Sequence, residues 1–269
     1  MFITWFNPEP GKGLWLMARL AERPGKERCG GIRITVALAV NLQEKNENVW
    51  TCRLAGTAAS PDQGALDRFV ADRTPAGCDA LVRHLLGTID ARSAAARAAG
   101  APIACAAGCT FCCHQRVSMF PFEALALYRY LRTQLSPAEA AAIEQQILEN
   151  ARRIDTLSAD EHRRANIACA FLRAGRCSAY AVRPQACAAY HSMSRLHCEH
   201  AYEHPDDMGT PKNSRPALLE LQLHSAALLD TTRTAIEAAG FPAARGELHQ
   251  LLRALIEAGR DDAGLGTLS

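Results

Sequence analysis

The sequence predicts a mainly α protein, a compact helical domain with few or no strands. Alanine and leucine are abundant and aromatic residues make up only 6% of the chain, a composition that favours helices. From about residue 60 onward, apolar residues recur at helical spacing between recognisable start and stop signals. No alternation of strands with helices is visible, which argues against a Rossmann fold or a TIM barrel.

Capping signals mark where the predicted helices begin and end. Ser60 precedes Pro61, and Pro121 opens a later helix. The stretch "SPAE" at 136–139 combines a serine cap, a proline and a glutamate that completes a capping box. Gly100 is the predicted stop of the helix before the cysteine loop. The apolar faces of these helices are Leu81, Leu85 and Ile89; Phe122, Leu125, Tyr128, Leu131 and Leu135; and Ile143, Ile147 and Ile154.

The chain divides into three predicted parts. Residues 1–60 are poorly patterned and are predicted to be flexible or peripheral; within them 32–40 alternates weakly like a strand, but no convincing partner strand is visible. Residues 61–204 are predicted to form a helical cysteine-cluster domain. Residues 205–269 are predicted to be a linker followed by a helical hairpin that packs on that domain. The two helices of the hairpin are predicted at 216–240 and 246–259, each ending in glycine.

Charge and hydropathy limit the possible partners and compartment. The net charge of +2 argues against a nucleic-acid binder that works through bulk charge. No stretch approaches the roughly 20 apolar residues that span a bilayer, and the N-terminus lacks the order of a signal peptide. We therefore expect a cytoplasmic protein. Structural disulfides are disfavoured in a reducing compartment, and the odd number of 11 cysteines excludes complete pairing within the chain.

Four cysteines are crowded into one short loop, at Cys105, Cys109, Cys112 and Cys113. The loop contains Gly108 and polar neighbours and lacks the period of a core face, so metal or cluster ligation is favoured over packing. Adjacent cysteines project in different directions, and a disulfide between them needs a strained ring. Cys112 and Cys113 therefore serve two metal atoms, or one ligates while the other supports it from outside the coordination sphere.

A second group contains Cys169, Cys177 and Cys187, with Cys198 beyond it. The stretch between the groups has the length of a two-helix hairpin, which returns the chain to its starting point, so we expect one site built from loops. An all-thiolate donor set suits zinc and iron–sulfur clusters alike. Seven or eight cysteines exceed one four-ligand site, and this number fits two sites, one multinuclear site or one site with spare thiols.

The predicted metal is zinc or iron, with an iron–sulfur cluster as one form of iron. The firmest predicted ligands are Cys105, Cys109, Cys112, Cys177 and Cys187, followed by Cys113 and Cys169, with Cys198 the weakest. Histidines with a lesser claim are His114, His191, His197, His200 and His204. The isolated residues Cys29, Cys52 and Cys78 are expected to be small buried hydrophobes.

The order of these cysteines resembles the YkgJ-type cysteine-cluster family, whose members are described as zinc- or iron-chelating proteins. The resemblance covers roughly residues 100–195 and implies a bound metal, but it specifies neither the metal nor a reaction. One departure is Ala188, where the family often has arginine after the last cysteine. The matching positions are Cys105, Cys109, Cys112 and Cys113, then Cys169, Phe171 and Leu172, then Gly175, Cys177 and Tyr180, and finally Arg183, Pro184 and Cys187.

Three motif residues have predicted physical roles, and two of them have alternatives. Pro184 restricts the backbone before Cys187. Arg183 is predicted to neutralise thiolate charge or bind an acidic group, or else to form an ordinary salt bridge. Tyr180 is predicted to donate a hydrogen bond to sulfur, or else to pack against its neighbours.

Two enzyme classes are alternatives to a purely metal-binding protein. Cys105, Cys109 and Cys112 have the spacing of the radical S-adenosylmethionine motif, and a similar pattern appears in flagellin lysine N-methylases. Those radical enzymes resemble a β/α barrel, whereas the chain around this motif reads as helices. A reactive-thiol enzyme would use His114 or Arg116 to lower a cysteine pKa, but it has no need of six further thiols.

A metal ion is the predicted partner, and no nucleic acid or membrane is expected. If the metal site holds the fold together, chelation or Cys109→Ser is expected to collapse the protein, because binding energy in such sites is folding energy.

Overall fold

The computed structural model describes residues 63–72, 74–207 and 219–259, together with two short strands nearer the N-terminus. The chain divides into two compact units, Met1–Ala58 and Ala59–Ser269. Other predictions for the first 60 residues, including the cap at Ser60 and the burial of Cys29 and Cys52, lie outside the described residues.

The first unit contains an antiparallel strand pair. Strand β1 (Leu16–Arg19) pairs with β2 (Thr35–Leu38), and Leu16 lies opposite Leu38. The weakly alternating segment 32–40 therefore does contain a strand. The expectation that it lacks a partner was wrong, because β1 has no alternating pattern of its own that marks it as a strand from sequence.

The second unit is mainly α, as predicted. Its helices are α1 (Gln63–Asp72), α2 (Pro75–Ala98), α3 (Pro121–Gln134), α4 (Pro137–Asp155), α5 (Ala159–Arg164), α6 (Gln185–Ala189), α7 (Arg195–Glu203), α8 (Leu219–Ala238) and α9 (Leu248–Glu257). Two turns of 3-10 helix lie at Phe111–His114 and Tyr180–Val182. Its described residues also form two short antiparallel pairs, β3 (Ser118–Met119) with β6 (Gly246–Glu247) and β4 (Leu172–Arg173) with β5 (Arg176–Cys177).

Local capping explains the helix boundaries near the cysteine loops. Ser136 accepts the Glu139 N–H at 3.4 Å, and the Glu139 carboxylate accepts the Ser136 N–H at 3.1 Å, so the predicted capping box is confirmed. Thr74 caps α2 by accepting the N–H of Gly77 at 3.1 Å. Just beyond the other end of α2, Gly100 has a φ of +86°, the left-handed conformation that favours glycine.

The core lies among α1, α2, α3, α4, α8 and α9, and most residues of the predicted apolar faces point into it. Leu81, Leu85 and Leu131 are fully buried. The Phe69 ring on α1 lies 6.0 Å from the ring of Phe122 and 5.0 Å from that of Phe241. This core contains no member of the first cysteine loop, although Cys169 and Cys177 pack against its edge.

The C-terminal helix is attached to the chain just after the first cysteine loop. Glu247 of β6 lies opposite Ser118 of β3, and the Leu248 N–H donates to the Val117 carbonyl at 3.0 Å. Gly246 is required for close packing here, because a Cβ at this position would lie 2.8 Å from Leu251 Cγ. Helix α9 then packs against α4 and α3, whereas α8 packs against α2, α6 and α1.

None of the helices in the described part of the chain is long and apolar enough to cross a membrane.

Truncation of Ile147 tests the packing of α4 on the core. Ile147 is completely buried, so we expect Ile147→Ala to lower the free energy of unfolding by about 2–5 kcal/mol. Gln145→Ala, at an exposed position on the same helix, is the control and is expected to change it by less than about 0.5 kcal/mol. Chemical denaturation of both variants measures the difference, and equal effects would contradict this packing.

Candidate metal centre

Three stretches of chain bring eight cysteines to one region of the second unit. The loop 105–113, the segment 169–187 and helix α7 contribute these residues. The Cys169 N–H donates to the Cys113 carbonyl at 2.8 Å, and the Ala104 N–H donates to the Ser192 carbonyl at 2.8 Å. These bonds join the first loop to both later segments, so the predicted meeting of the two cysteine groups is a feature of the backbone.

The first loop consists of two successive turns. The Cys109 N–H donates to the Ala106 carbonyl at 3.1 Å, and Gly108, with φ of +86°, occupies the position of this turn that requires a positive φ. The following turn of 3-10 helix holds both Cys112 and Cys113. A hydrogen bond with the Cys113 thiol raises the pKa of Cys112, and burial raises it further.

A tight hairpin presents Cys177. Leu172 lies opposite Cys177 in the β4–β5 pair, and the two loop residues Ala174 and Gly175 have φ values of 45° and 73°. Two successive positive φ angles are typical of the type I′ turns that favour such hairpins. The Ser178 N–H donates to the Phe171 carbonyl at 2.9 Å, so the hairpin also places Cys177 close to the chain around Cys169.

Four thiols, which we call the four-thiol group, lie within electrostatic reach of one another: Cys112, Cys169, Cys177 and Cys187. Burial raises the pKa of the Cys187 thiol well above its ordinary value, and the thiols of Cys169, Cys112 and Cys177 raise it further. Burial likewise raises the pKa of Cys169 to about 12. Such thiols keep their protons at neutral pH unless a cation replaces them.

A second set, the three-thiol group, contains Cys105, Cys109 and Cys198. Burial raises the pKa of Cys198; a hydrogen bond with Ser192 opposes this shift, and the thiols of Cys105 and Cys109 add to it. The Ser192 N–H also donates to Cys105 Sγ at 3.2 Å. Cys198, the weakest candidate from sequence, therefore lies beside two of the firmest ones.

Backbone N–H groups point at two thiols of the four-thiol group. Burial raises the pKa of Cys169 and Cys177, while hydrogen bonds from the N–H of Phe171 and of Ala179, respectively, lower it. Each donor lies two residues after its cysteine. Such donors stabilise sulfur when it becomes a thiolate, which is the state that binds a metal.

Cysteine thiols are suitable ligands for zinc or iron, but in their present positions the described thiols do not surround a single ion. As they stand, the described residues include no group of three or more Cys, His, Asp or Glu side chains placed to hold one ion. All nine cysteines of this part of the chain are free thiols. Their side chains have three staggered rotamers, so the thiols can reorient, and metal binding also requires loss of their protons.

Arg183 forms the ordinary salt bridge that was one of its predicted alternatives. Its guanidinium forms an ion pair with Asp90 on α2 and donates to the Tyr180 carbonyl at 2.9 Å. Its Cζ also lies 4.0 Å from the centre of the Tyr180 ring, so Tyr180 packs on the cation. Burial raises the pKa of Cys177, and the charge of Arg183 lowers it.

Most of the candidate histidines have other partners. His191 Nε2 lies 2.7 Å from Ser93 Oγ and its Nδ1 lies 3.2 Å from the Ala189 carbonyl, so both ring nitrogens are engaged. His114 Nδ1 lies 3.1 Å from the Thr110 carbonyl, and His200 Nε2 lies 3.0 Å from Asp207. The buried Nδ1 of His197 has no hydrogen-bond partner among the residues described.

A buried carboxylate at the start of α3 was not identified from the sequence. Glu123 accepts the Phe120 N–H at 2.8 Å and the Gln185 N–H at 2.6 Å. Its place in the first turn, after Pro121, predicts the first bond, but nothing local predicts the second. Through that second bond Glu123 holds the first residue of α6, the short helix that carries Cys187, against α3.

Cys78 confirms the expectation for isolated cysteines. It is fully buried in the core, and its thiol donates to the Phe122 carbonyl at 3.0 Å. It is therefore a packing residue on α2. It is a buried thiol outside the cluster with which the clustered thiols can be compared.

Comparison with known families agrees with the chemistry of this site. Residues 104–210 match the model of the CxxCxxCC family, described as "Putative zinc- or iron-chelating domain". This segment is therefore similar to that cysteine-cluster family. The match includes all eight clustered cysteines and ends before α8, β6 and α9. No curated protein and no solved structure matches the chain.

The buried thiols predict how the metal-free protein responds to pH. The pKa of Cys169 is raised from 9.0 to about 12 in the folded protein. Above pH 9.0 the unfolded chain therefore loses the Cys169 proton, whereas the folded protein keeps it. Stability is therefore complete below about pH 9 and falls as the pH rises toward the folded pKa. We expect the urea midpoint of reduced, metal-free protein to decrease as the pH rises above about pH 9.

Cys169→Ser is the control for this pH experiment, because it removes one thiol and is expected to make the decrease smaller. A midpoint that rises over this pH range, or a Cys169→Ser variant with an unchanged pH dependence, would contradict the burial of this thiol.

Proposed function

We propose that this protein binds zinc or iron through cysteine thiolates that converge from two distant segments of the chain. The family match supports zinc or iron as the metal. The observation that carries the proposal is the position of the Cys187 thiol, which has three other thiols as electrostatic neighbours. The proposed ligands are Cys105, Cys109, Cys112, Cys113, Cys169, Cys177 and Cys187, with Cys198 added by its place beside Cys105 and Cys109.

The four-thiol group provides the number of ligands that a tetrahedral zinc or iron ion takes. The bound ion would supply a positive charge that keeps these sulfurs deprotonated. The chain supplies the rest: backbone N–H donors behind Cys169 and Cys177 and the Arg183 charge near Cys177. Pro184 precedes α6, and its carbonyl accepts the Cys187 N–H at 2.9 Å, which sets the position of that cysteine.

The second form of this proposal is an iron–sulfur cluster. The specific observation in its favour is that two neighbouring thiol groups offer more sulfurs than one four-coordinate ion uses. Cys112 links them, because its thiol influences both Cys187 and Cys198. A radical S-adenosylmethionine enzyme has less support, since the described strands form only short antiparallel pairs and no β/α barrel.

The proposed ligand chemistry requires a reducing environment. The nine described cysteines are free thiols, and oxidation of the clustered ones would remove ligands. A cytoplasmic location, where thiols stay reduced, suits this requirement.

Anaerobic purification followed by metal analysis and an absorption spectrum tests the proposed function. We expect zinc in a colourless protein, or iron with the absorption of a thiolate or sulfide site. Cys187→Ser removes a thiol with three thiol neighbours and is expected to reduce the metal content at least severalfold. Protein that contains neither metal and takes up neither zinc nor iron when reduced would overturn the proposal.

Cys78→Ser is the matched control for the metal analysis. Its hydroxyl can donate to the same Phe122 carbonyl as the thiol it replaces, so the metal content is expected to equal that of the parent. An equal loss of metal in both variants would show that the effect of Cys187→Ser is not specific to the site.

Chelation tests how far the fold depends on the metal. The proposed ligands lie outside the buried helical core or at its edge. We therefore expect metal-free protein to keep most of its helical circular dichroism. The cysteine segments lose their common anchor, so limited proteolysis is expected to cut at 105–118 or 165–195 first. Complete loss of helicity would instead indicate the collapse that sequence reasoning expected for a site that holds the fold together.

A further inference from the structure

We propose that His249 and Glu247 are positioning residues of the metal centre, acting through the backbone beside Cys169. Both lie in the C-terminal part of the second unit, beyond the segment 104–210 that matches the family. The inference rests on the proposed function, since it concerns how the chain holds a ligand of that same site.

The His249 ring bridges the ligand segment and Glu247. Its Nε2 lies 3.3 Å from the Ala170 backbone nitrogen and 3.1 Å from Asn150 Nδ2. Its Nδ1 lies 3.0 Å from Glu247 Oε1. A continuous chain of hydrogen bonds therefore runs from Glu247 through the imidazole to the residue that follows Cys169.

The partners of the ring determine which nitrogen carries its proton. The Ala170 N–H can only donate, so Nε2 must be the acceptor. Asn150 is also a donor to Nε2, because two other bonds fix the orientation of its amide group. Its Nδ2 donates to the Ala168 carbonyl at 2.8 Å, and its Oδ1 accepts from Gln146 at 3.0 Å. The proton is therefore on Nδ1, which donates to the Glu247 carboxylate.

Three successive residues of the ligand segment are held by this arrangement. The Ala168 carbonyl is bound by Asn150, the Cys169 N–H is bound by the Cys113 carbonyl, and the Ala170 N–H is bound by His249. With the backbone fixed on both sides of Cys169, the rotation about χ1 is the main freedom left to its sulfur. That restriction positions the thiol for a metal in advance.

The burial of Glu247 and His249 argues against a role limited to capping α9. Glu247, His249 and Asn150 are only 4%, 5% and 6% exposed. Burying a carboxylate and an imidazole is costly unless their hydrogen bonds are satisfied. The other oxygen of Glu247 accepts the Gln250 N–H at 3.0 Å at the start of α9, but a helix cap alone needs neither burial nor the imidazole.

The same short segment is attached to both halves of the cysteine site. Through β6 it pairs with β3, which follows the first cysteine loop, and through His249 it holds the second cysteine segment. Hydrogen-bonding partners just outside a metal site orient its ligands, and their removal typically lowers metal affinity by about 10–100-fold. The stretch 246–250 is thus the part of the chain placed to set the spacing between the two halves.

His249→Leu tests this role in the full-length protein, with cobalt(II) as a spectroscopic probe of the thiolate site. We expect the variant to bind cobalt about 10–100-fold more weakly than the parent and to show altered thiolate-to-cobalt absorption. His249→Gln, whose side-chain oxygen can accept the Ala170 N–H, is expected to recover most of the affinity. Leu252→Ala is the control, because it truncates a fully buried residue of α9 and is expected to reduce stability without changing the cobalt spectrum.

Cobalt affinity in His249→Leu equal to that of the parent would overturn the inference. So would an equal loss of affinity in Leu252→Ala, since that result would assign the effect to stability. Parent protein that binds neither cobalt, zinc nor iron would contradict the proposed function itself, and this outcome is distinct from the other two.

A measurement on the metal-free parent tests the geometry even if a variant does not fold. The Ala170 amide is expected to be protected from hydrogen exchange, and NMR of the His249 ring is expected to show the Nδ1–H form. An unprotected Ala170 amide or an Nε2–H ring would overturn the inference without reference to metal binding.

Discussion

The hydrogen bond from the Cys169 amide to the Cys113 carbonyl is the contact on which the arrangement of the site depends. It joins two cysteine segments that are separated in the chain by α3, α4 and α5. Together with the contacts made by Glu123 and His249, it brings the thiols of Cys112, Cys169, Cys177 and Cys187 within electrostatic reach of one another.

The segment that carries Cys169, Cys177 and Cys187 is held partly by apolar packing, since Phe171 is buried in the core. Polar contacts from the helices add to that attachment. Glu123 on α3 holds Gln185 near Cys187, Asp90 on α2 pairs with Arg183, and His249 on α9 holds Ala170 beside Cys169. Because a buried polar group is costly when unpaired, each of these contacts favours one position of its loop over others.

The adjacent pair Cys112 and Cys113 combines two functions within one helical turn. The Cys113 carbonyl receives the bond from the second segment, while the Cys112 thiol lies within reach of both thiol groups. The pair thus connects the halves of the site through backbone and side chain respectively. Only the role of Cys112 depends on a cysteine side chain, because any residue at position 113 would offer the same backbone carbonyl.

The sequence by itself determined the helical class, several helix boundaries and the identity of the clustered cysteines. These features depend on local physics: the box formed by Ser136 and Glu139 involves residues three apart, and the turn at Gly100 depends on one residue's conformational freedom. The spacing of the cysteines was equally informative, because metal-ligating loops have characteristic local patterns.

Only the tertiary structure decided which residues support the site. The partner strand of 32–40, the second hydrogen bond of Glu123 and the placement of Cys198 beside Cys105 join residues far apart in sequence. The same is true of His249, which resembles any other histidine near the start of an amphipathic helix until its ring is seen to accept the Ala170 N–H. Such contacts depend on how the helices pack together, and no local pattern of residue types encodes that packing.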